Sequence, residues 1–373
     1  MHCPKPLHLI FISTFFVALW IPVSLLLISG GKEISIHEKR KLASLPSLKE
    51  TGVSGYPKQF EKYFNDQFGL REPLLKTHAL YQFALFNVSS SEKVIVGKNG
   101  WLFQNGQPHF KDMRNQWPFS EAELRHWANV LIEKQRWLQQ RNVQYMFVIT
   151  PSKHIVYGEN LPDAFQPVSP ESRADQLTTY LQRHTNVTVV DMRKALQQAK
   201  KNGQIYHKTD THWNSLGAYY GYRALLQEIN RVLPQVQPIH LSVQDFIAVQ
   251  EEGGDLAESL NLGDSLRETA FIPQNWQSEC FNRAINEQNL PTSAARNRAW
   301  FTTTCTGKPY SVLMFRDSYS LALMPYLTET FGTVTYIPHS PVRRVNMQEL
   351  TLKHNPELVI EQRTTRWLRT PEG

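Results

Sequence analysis

Cysteine is scarce in this chain: Cys3, Cys280 and Cys305 are the only three in 373 residues, and no two are spaced C-x-x-C. A zinc finger or ribbon is thereby excluded. No G-x-x-x-x-G-K-[ST] occurs, so Gly97 and Gly100 do not belong to a phosphate loop. Internal repeats and low-complexity tracts are also missing. The net charge of +7 fits an anionic partner such as a membrane surface, a nucleic acid or an acidic polymer. Nucleic acid is set aside, because no long Lys/Arg run with interleaved aromatics is present. What remains is an ordinary globular composition, 41% hydrophobic and 20% charged, with 9 Trp and 14 Tyr. That length can bury one large core or two modest ones.

Charge is absent from Leu9 to Ile28, a run rich in Leu, Ile, Phe and Val. About twenty such residues, at about 1.5 Å each, match the roughly 30 Å hydrocarbon core of a bilayer. A secretory signal has a shorter apolar region, about 7–15 residues. An uncleaved signal anchor is expected, although Ser29-Gly30-Gly31 leaves cleavage open. Lys32, Lys39, Arg40 and Lys41 come after the span and only Lys5 precedes it, which by the positive-inside rule places the main domain in the cytoplasm. A span starting this early commonly exports the remainder of the chain, and Cys280 with Cys305 is compatible with one disulfide in an oxidising compartment. A chance pair of cysteines explains the second point nearly as well. On residues alone the balance tips towards export.

Beyond a connector over 29–55, strand-like and helix-like patterns alternate. Gln144–Thr150, Val187–Val190, Ser311–Phe315, Thr333–Ile337 and Leu358–Ile360 are short apolar, β-branched or aromatic runs. Helical patterns cover 120–141, opened by a Ser120…Glu123 capping box, then 173–184, 192–202, 215–231 and 319–330. This alternation predicts an α/β fold, a parallel sheet with helices on both faces. Ligands of such sheets sit beyond the carboxyl ends of the strands. Ser318, Pro151-Ser152-Lys153 and Gln362-Arg363 all come directly after strand-like runs and are expected on one rim. Asn99-Gly100 reads as a type I′ turn between apolar arms. Residues 232–310 read as surface loops, a length that implies function or small unseen elements.

The chemistry concentrates in Thr209-Asp210-Thr211-His212-Trp213-Asn214 and Arg316-Asp317-Ser318-Tyr319. Asp210 and His212 are two apart, so on an extended or turn backbone both side chains leave on one side. A serine hydroxyl needs an imidazole within about 2.6–3.2 Å to take its proton and a carboxylate to orient the ring. Ser318, His212 and Asp210 supply one of each. Ser318 is expected at the N-terminus of helix 319–330, where free N–H groups favour a developing oxyanion. Taken singly, each residue has a duller reading: Ser318 as an N-cap, Asp210 as a cap or turn former, His212 as a satisfied polar residue beside Trp213. His207, Asp210 and His212 also give H-x-x-D-x-H, three ligands suited to an open metal site. Lys153, after a strand, is either an anion contact or a merely exposed lysine.

The motifs have an order: Asn65-Asp66-Gln67-Phe68-Gly69-Leu70-Arg71, then Gly97-Lys98-Asn99-Gly100-Trp101-Leu102-Phe103, the Asp210/His212 block with Gly217-Ala218-Tyr219, Gly254-Asp255-Leu256, and the Ser318 block. Over residues 38 to 370 this order resembles the alginate O-acetyltransferase family of SGNH-hydrolase-like proteins, which acetylate bacterial exopolysaccharides. The resemblance implies Ser318 as nucleophile, His212 as general base and Asp210 as orienting acid, with neither metal nor cofactor. Ordinary SGNH hydrolases place the serine block first; the reversed order is allowed because geometry, not chain order, defines a triad. The Gly and Asn of their oxyanion hole have no recognisable counterpart here. Also implied are an SGNH-like domain in the periplasm on an inner-membrane anchor, a polysaccharide acceptor, and a membrane-bound O-acyltransferase partner that supplies acetyl groups. Lys153 and Tyr319 are expected at the polymer. The corresponding layout is a cytoplasmic stub at 1–8, a transmembrane anchor at 9–28, a connector at 29–55 and the acetyltransferase domain at 56–373. Two alternatives stand beside it: a polysaccharide acetylesterase with the same triad, and a non-catalytic polysaccharide-binding subunit of an export complex. A separation of Ser318 and His212 beyond about 5 Å would favour the latter.

Overall fold

The computed structural model describes residues 5–29, 31, 33–35, 40–106, 109–338 and 343–371. Cys3, Lys32, Lys39 and the first four residues of the expected stub lie outside the described residues. Two compact units emerge, Met1–Ser91 with Ala257–Asp264, and Glu92–Leu256 with Ser265–Gly373. All the expected site residues belong to the second.

In the first unit, helix α1 (Lys5–Ser29) contains a stretch, Leu7–Leu26, of mean hydropathy 2.4, long and apolar enough to cross a membrane. The expected connector already carries regular structure at its end, because the helix Leu48–Gln67 starts inside it. The Asn65–Arg71 motif has a structural use. Asp66 takes a two-pronged guanidinium contact from Arg40 and the backbone N–H of Ala43. The Arg40 hydrogen bond, working against burial, holds its carboxyl down at about 2.

In the second unit, β1 (Gln144–Thr150), β2 (Val189–Asp191), β3 (Phe301–Thr304), β4 (Ser311–Phe315), β5 (Thr333–Ile337) and β6 (Leu358–Thr364) form one sheet. Its order is β2-β1-β6-β4-β5-β3, parallel except for the antiparallel edge strand β3. Strand alternation sends Met146, Val148, Val312, Met314 and Ile360 to one face, and Phe147, Ile149, Leu313, Phe315 and Val359 to the other. Helices α2 (Glu121–Gln139) and α3 (Arg173–His184) cover the second face. Each opens with a capping box, Ser120 with Glu123 and Ser172 with Asp175. The first face is covered by α4 (Ser215–Val232). Burial on both faces is why these strands read as continuous apolar runs.

Residues 232–310 are more regular than expected. A long hairpin, Phe246–Glu252 with Arg267–Pro273, is succeeded by α5 (Glu279–Glu287) and by β3. Cys280 and Cys305 form a disulfide. The hairpin was illegible because its first arm, exposed nearly throughout, runs from four consecutive apolar residues, Phe246–Val249, into three polar ones without an apolar alternation. At 97–101 the turn is a short 3-10 segment, although Asn99 and Gly100 do take the positive φ expected of them. After β4 come α6 (Met324–Thr330), which shares the first face with α4, and α7 (Arg344–His354), which shares the second with α2 and α3.

Strand β6 is charged in its interior. Glu361 and Arg363 are fully buried with Lys134 of α2. Glu361 accepts from Lys134 Nζ and from Tyr145 Oη, each at 2.8 Å, and from the guanidinium of Arg363. Removing Glu361 leaves Lys134 and Arg363 as buried cations without their shared carboxylate. Glu361→Gln is expected to cost about 3–5 kcal/mol of stability. Thermal unfolding of the variant against the parent chain checks this; an unchanged Tm contradicts it.

Candidate active site

The Asp210–His212 loop lies between a single β-bridge, Tyr206 to Trp213, that closes its ends. His207 N–H donates to the carbonyl of His212 within it. A loop this short turns its carbonyls inward, where they need donors. Lys153 provides them, donating from Nζ to the carbonyls of His207, Lys208 and Asp210 at 3.1, 3.0 and 2.6 Å. From outside, Gly254-Asp255-Leu256 zips onto Thr209–Thr211. Gly254 N–H donates to Thr209 Oγ1, Asp255 N–H to Asp210 Oδ2, and Leu256 N–H to the Thr209 carbonyl. A Cβ on residue 254 would fall 2.3 Å from the Asp210 Cβ, so only glycine permits this approach.

Held in this way, Asp210 Oδ1 lies 2.7 Å from His212 Nδ1 and also accepts the His212 backbone N–H at 2.8 Å. A ring nitrogen facing a carboxylate carries the proton, so Nε2 is the acceptor. His212 Nε2 lies 2.8 Å from Ser318 Oγ. Both side chains of the acid–base pair remain partly exposed, 23% for Asp210 and 26% for His212, enough for a substrate to reach them.

Ser318 comes just after β4, and Asp317 fixes its turn. Asp317 Oδ1 accepts from the Tyr319 N–H and Gln362 Nε2, while Oδ2 accepts from the Thr364 N–H and hydroxyl. Gln362 and Thr364 stand on β6, the neighbour of β4, so the sheet itself positions Ser318. The expected rim is thus present: Ser152, after β1, is also tied to Thr365, after β6. The expected helix 319–330 is not a single helix. Ser318–Ala322 is a five-residue 3-10 turn before α6, and the Tyr319 N–H is already taken by Asp317. The helix-terminus contribution to an oxyanion therefore does not hold.

Lys153 and Tyr319 are corrected as well. Lys153 is 4% exposed and Tyr319 1%, so neither presents a surface to a polymer. The lysine carries the loop carbonyls, and Tyr319 Oη donates to the Thr211 carbonyl at 2.6 Å while its own carbonyl accepts from Trp213 Nε1. Both brace the two halves of the site against each other. His207 also departs from the metal reading: its Nδ1 stands 3.6 Å from Glu268, away from the Asp210–His212 contact. The third group beside that pair is Asp255, which the resemblance named without a role. Its carboxylate accepts from the Thr211 N–H and hydroxyl and comes within 4.0 Å of His212 Nδ1. Asp210, His212 and Asp255 bring their donor atoms within 4.8 Å of one another. Nothing in the local sequence pattern pointed to Asp255, because it lies 45 residues from its partner.

Burial disfavours the imidazolium of His212, yet the charge and hydrogen bond of Asp210, with Asp255 behind it, raise its pKa above the ordinary 6.5. Burial also works to raise Asp210, but the facing His212 and the Asp255 N–H hold it far below the usual carboxylate range. Asp255 goes the other way, raised by burial and by the Asp210 charge. Only neutral His212 accepts a proton, so activity falls as pH drops through the raised value, which places the acid limb above pH 6.5. Asp210→Asn moves that limb to lower pH and lowers kcat about 10³–10⁴-fold. A pH–rate profile of parent and variant checks both; an unmoved limb contradicts the assignment. Gly254→Ala pushes Asp210 aside and is expected to lower kcat about 10²-fold, the scale of a 1 Å misplacement. A parent-like kcat in the folded variant would show the close approach to be dispensable.

Comparison with known proteins identifies the family. The family model for the SGNH hydrolase-like domain of acetyltransferase AlgX matches residues 94–311. That match contains Asp210, His212 and Asp255 and stops short of Ser318. Among curated proteins, the chain is 28% identical over 222 residues to the probable alginate O-acetylase AlgJ of Pseudomonas aeruginosa, covering 58% of this chain and 54% of that one. It is likewise 28% identical over 236 residues to the protein of that name from Azotobacter vinelandii, covering 62% and 57%. The chain thus spans about half the length of these curated relatives. Among solved structures, PatB1 of Bacillus cereus, determined with a sulfonyl adduct, superposes with a TM-score of 0.50 at 14% identity over 73% of this chain and 96% of that one, a likeness of fold. With more than half its length in the family match, the chain belongs to the SGNH hydrolase-like family of the acetyltransferase AlgX.

Proposed function

We propose that the chain is an O-acetyltransferase that moves an acetyl group through a Ser318 ester onto hydroxyls of a secreted bacterial polysaccharide, alginate-like or another exopolysaccharide. The observation that carries this reading is the 2.8 Å contact of Ser318 Oγ with His212 Nε2 in a ring oriented by Asp210. Ser318 Oγ attacks the acetyl carbonyl carbon while its proton passes to Nε2, and the donor's leaving oxygen departs with that proton. A sugar hydroxyl then gives its proton to Nε2 and attacks the acetyl-serine, and Ser318 leaves with the proton restored. Asp210 stays ionised throughout and stabilises the intermediate imidazolium. The names of the curated relatives, probable alginate O-acetylases, support the acceptor class.

The apolar helix Leu7–Leu26 and the Cys280–Cys305 disulfide support an anchor in the inner membrane with the second unit in the oxidising periplasm. An acetyl group made in the cytoplasm then needs a membrane-bound O-acyltransferase partner to reach the donor side. The short Ser318–His212 contact speaks against a purely binding subunit, since general-base reach is about 3 Å.

Incubating the full chain in detergent with p-nitrophenyl acetate and an oligosaccharide, and measuring acetylated sugar against free acetate, tests the reading. Ser318→Ala is expected to lower ester turnover at least about 10³-fold. Full turnover in that variant overturns the nucleophile. Acetate without acetylated sugar from the parent chain makes the protein an esterase, with water as the final acceptor.

A further inference from the structure

An open cleft of about 1250 Å³, counting its solvent side, lies on the second unit. Its floor is formed by Ser215, Ala322 and Tyr326. Ser215 is three residues beyond His212. Ala322 ends the 3-10 turn that Ser318 begins. At about 2 Å rise per residue that turn places the near end of the floor about 8 Å from the nucleophile.

The wall opposite is α5. Asn282 and Asn286, one helical turn apart, present their amides on the cleft side, while Phe281 and Ile285 anchor the helix in the core. The wall is rigidly attached. Cys280 is disulfide-bonded to Cys305 just after β3, and Glu329 of α6 accepts from both Ser278 Oγ and the Cys280 N–H. Beside it the Trp276 ring lies flat on Tyr326, with centroids 4.6 Å apart and planes 6° from parallel. One indole face is thus covered, and the ring is only partly buried. Among the described residues no carboxylate lines the cleft, and Arg296 contributes a positive charge.

A rigid aromatic plate accepts the C–H face of a pyranose, and paired amides offer donor and acceptor together to neighbouring hydroxyls. We infer that this cleft is the acceptor subsite, holding the sugar units next to the one being acetylated; the inference rests on the transferase reading above. A saccharide chain seated on Trp276 and the two amides would run towards Ser318 with one hydroxyl in reach of the acetyl-serine. The disulfide, which takes no part in the triad, has its place here as the device that preforms the wall. Preformed walls reduce the ordering cost of binding a flexible polymer.

The test uses the full chain in detergent, p-nitrophenyl acetate as donor, and two acceptors, a mannuronate hexasaccharide and cellohexaose. The quantity read is the ratio of acetylated sugar to released acetate. Trp276 packs on Tyr326, so its truncation risks misfolding; the exposed pair Asn282→Ala/Asn286→Ala carries the test, with Trp276→Phe retaining an aromatic plate. The double variant is expected to lower the ratio at least tenfold for whichever hexasaccharide the parent acetylates, with a raised KM for sugar, and Trp276→Phe to keep most of it. A parent-like ratio and KM in the folded double variant overturns the cleft assignment and leaves the transferase reading standing. No acetylated sugar from the parent chain with either acceptor overturns both.

Discussion

One close approach governs this site: the backbone at Gly254 lies against Asp210, nearer than any side chain at 254 would allow. That contact sets three backbone N–H groups of 254–256 on the Thr209–Thr211 strip, and one of them holds the Asp210 carboxylate. From the opposite side the buried Lys153 ammonium gathers the loop carbonyls. Between these two constraints Asp210 has one position, and His212 is placed by it. Two side chains held in one orientation on a loop this short need such a frame, because a loop without it would lose orientation to chain entropy.

Ser318 is fixed by different means. Asp317 is tied to alternate residues of β6, Gln362 and Thr364, while the other alternate pair, Glu361 and Arg363, faces the other way into a buried ionic cluster. The period-2 geometry of a strand thus separates two tasks along four residues: one face positions Ser318 and the other anchors the strand to α2. Buried ion pairs are poor contributors to net stability compared with apolar packing, but they are selective about partners. Here the cluster ties β6, which lies between β1 and β4 in the sheet, to α2, and the carboxyl end of β6 holds the Ser318 turn through Asp317.

Much of this was legible in the sequence. Continuous apolar runs announced a parallel sheet buried on both faces, and four of the five expected strands and most helices occupy nearly their expected ranges. The Asp210–His212 spacing and the position of Ser318 after β4 were readable because each depends on neighbours in the chain. What was illegible depends on partners far away. Asp255 reaches Asp210 across 45 residues, and Lys153 reaches the loop carbonyls across more than 50. Lysine after a strand looks like a surface contact until the loop that covers it is known. The 3-10 turn at Ser318 was hidden for a related reason: Asp317 spends its carboxylate on β6 as well as on the cap, and the local pattern does not record that.

The central claim is that the imidazole of His212, oriented by Asp210, activates the Ser318 hydroxyl. Incubation with phenylmethylsulfonyl fluoride at pH 8, then intact-mass and peptide mass spectrometry, tests it most directly. A single sulfonyl adduct on Ser318, lost when His212 is replaced by alanine, is the predicted result. An adduct on another hydroxyl, or none on Ser318 in the folded chain, contradicts it.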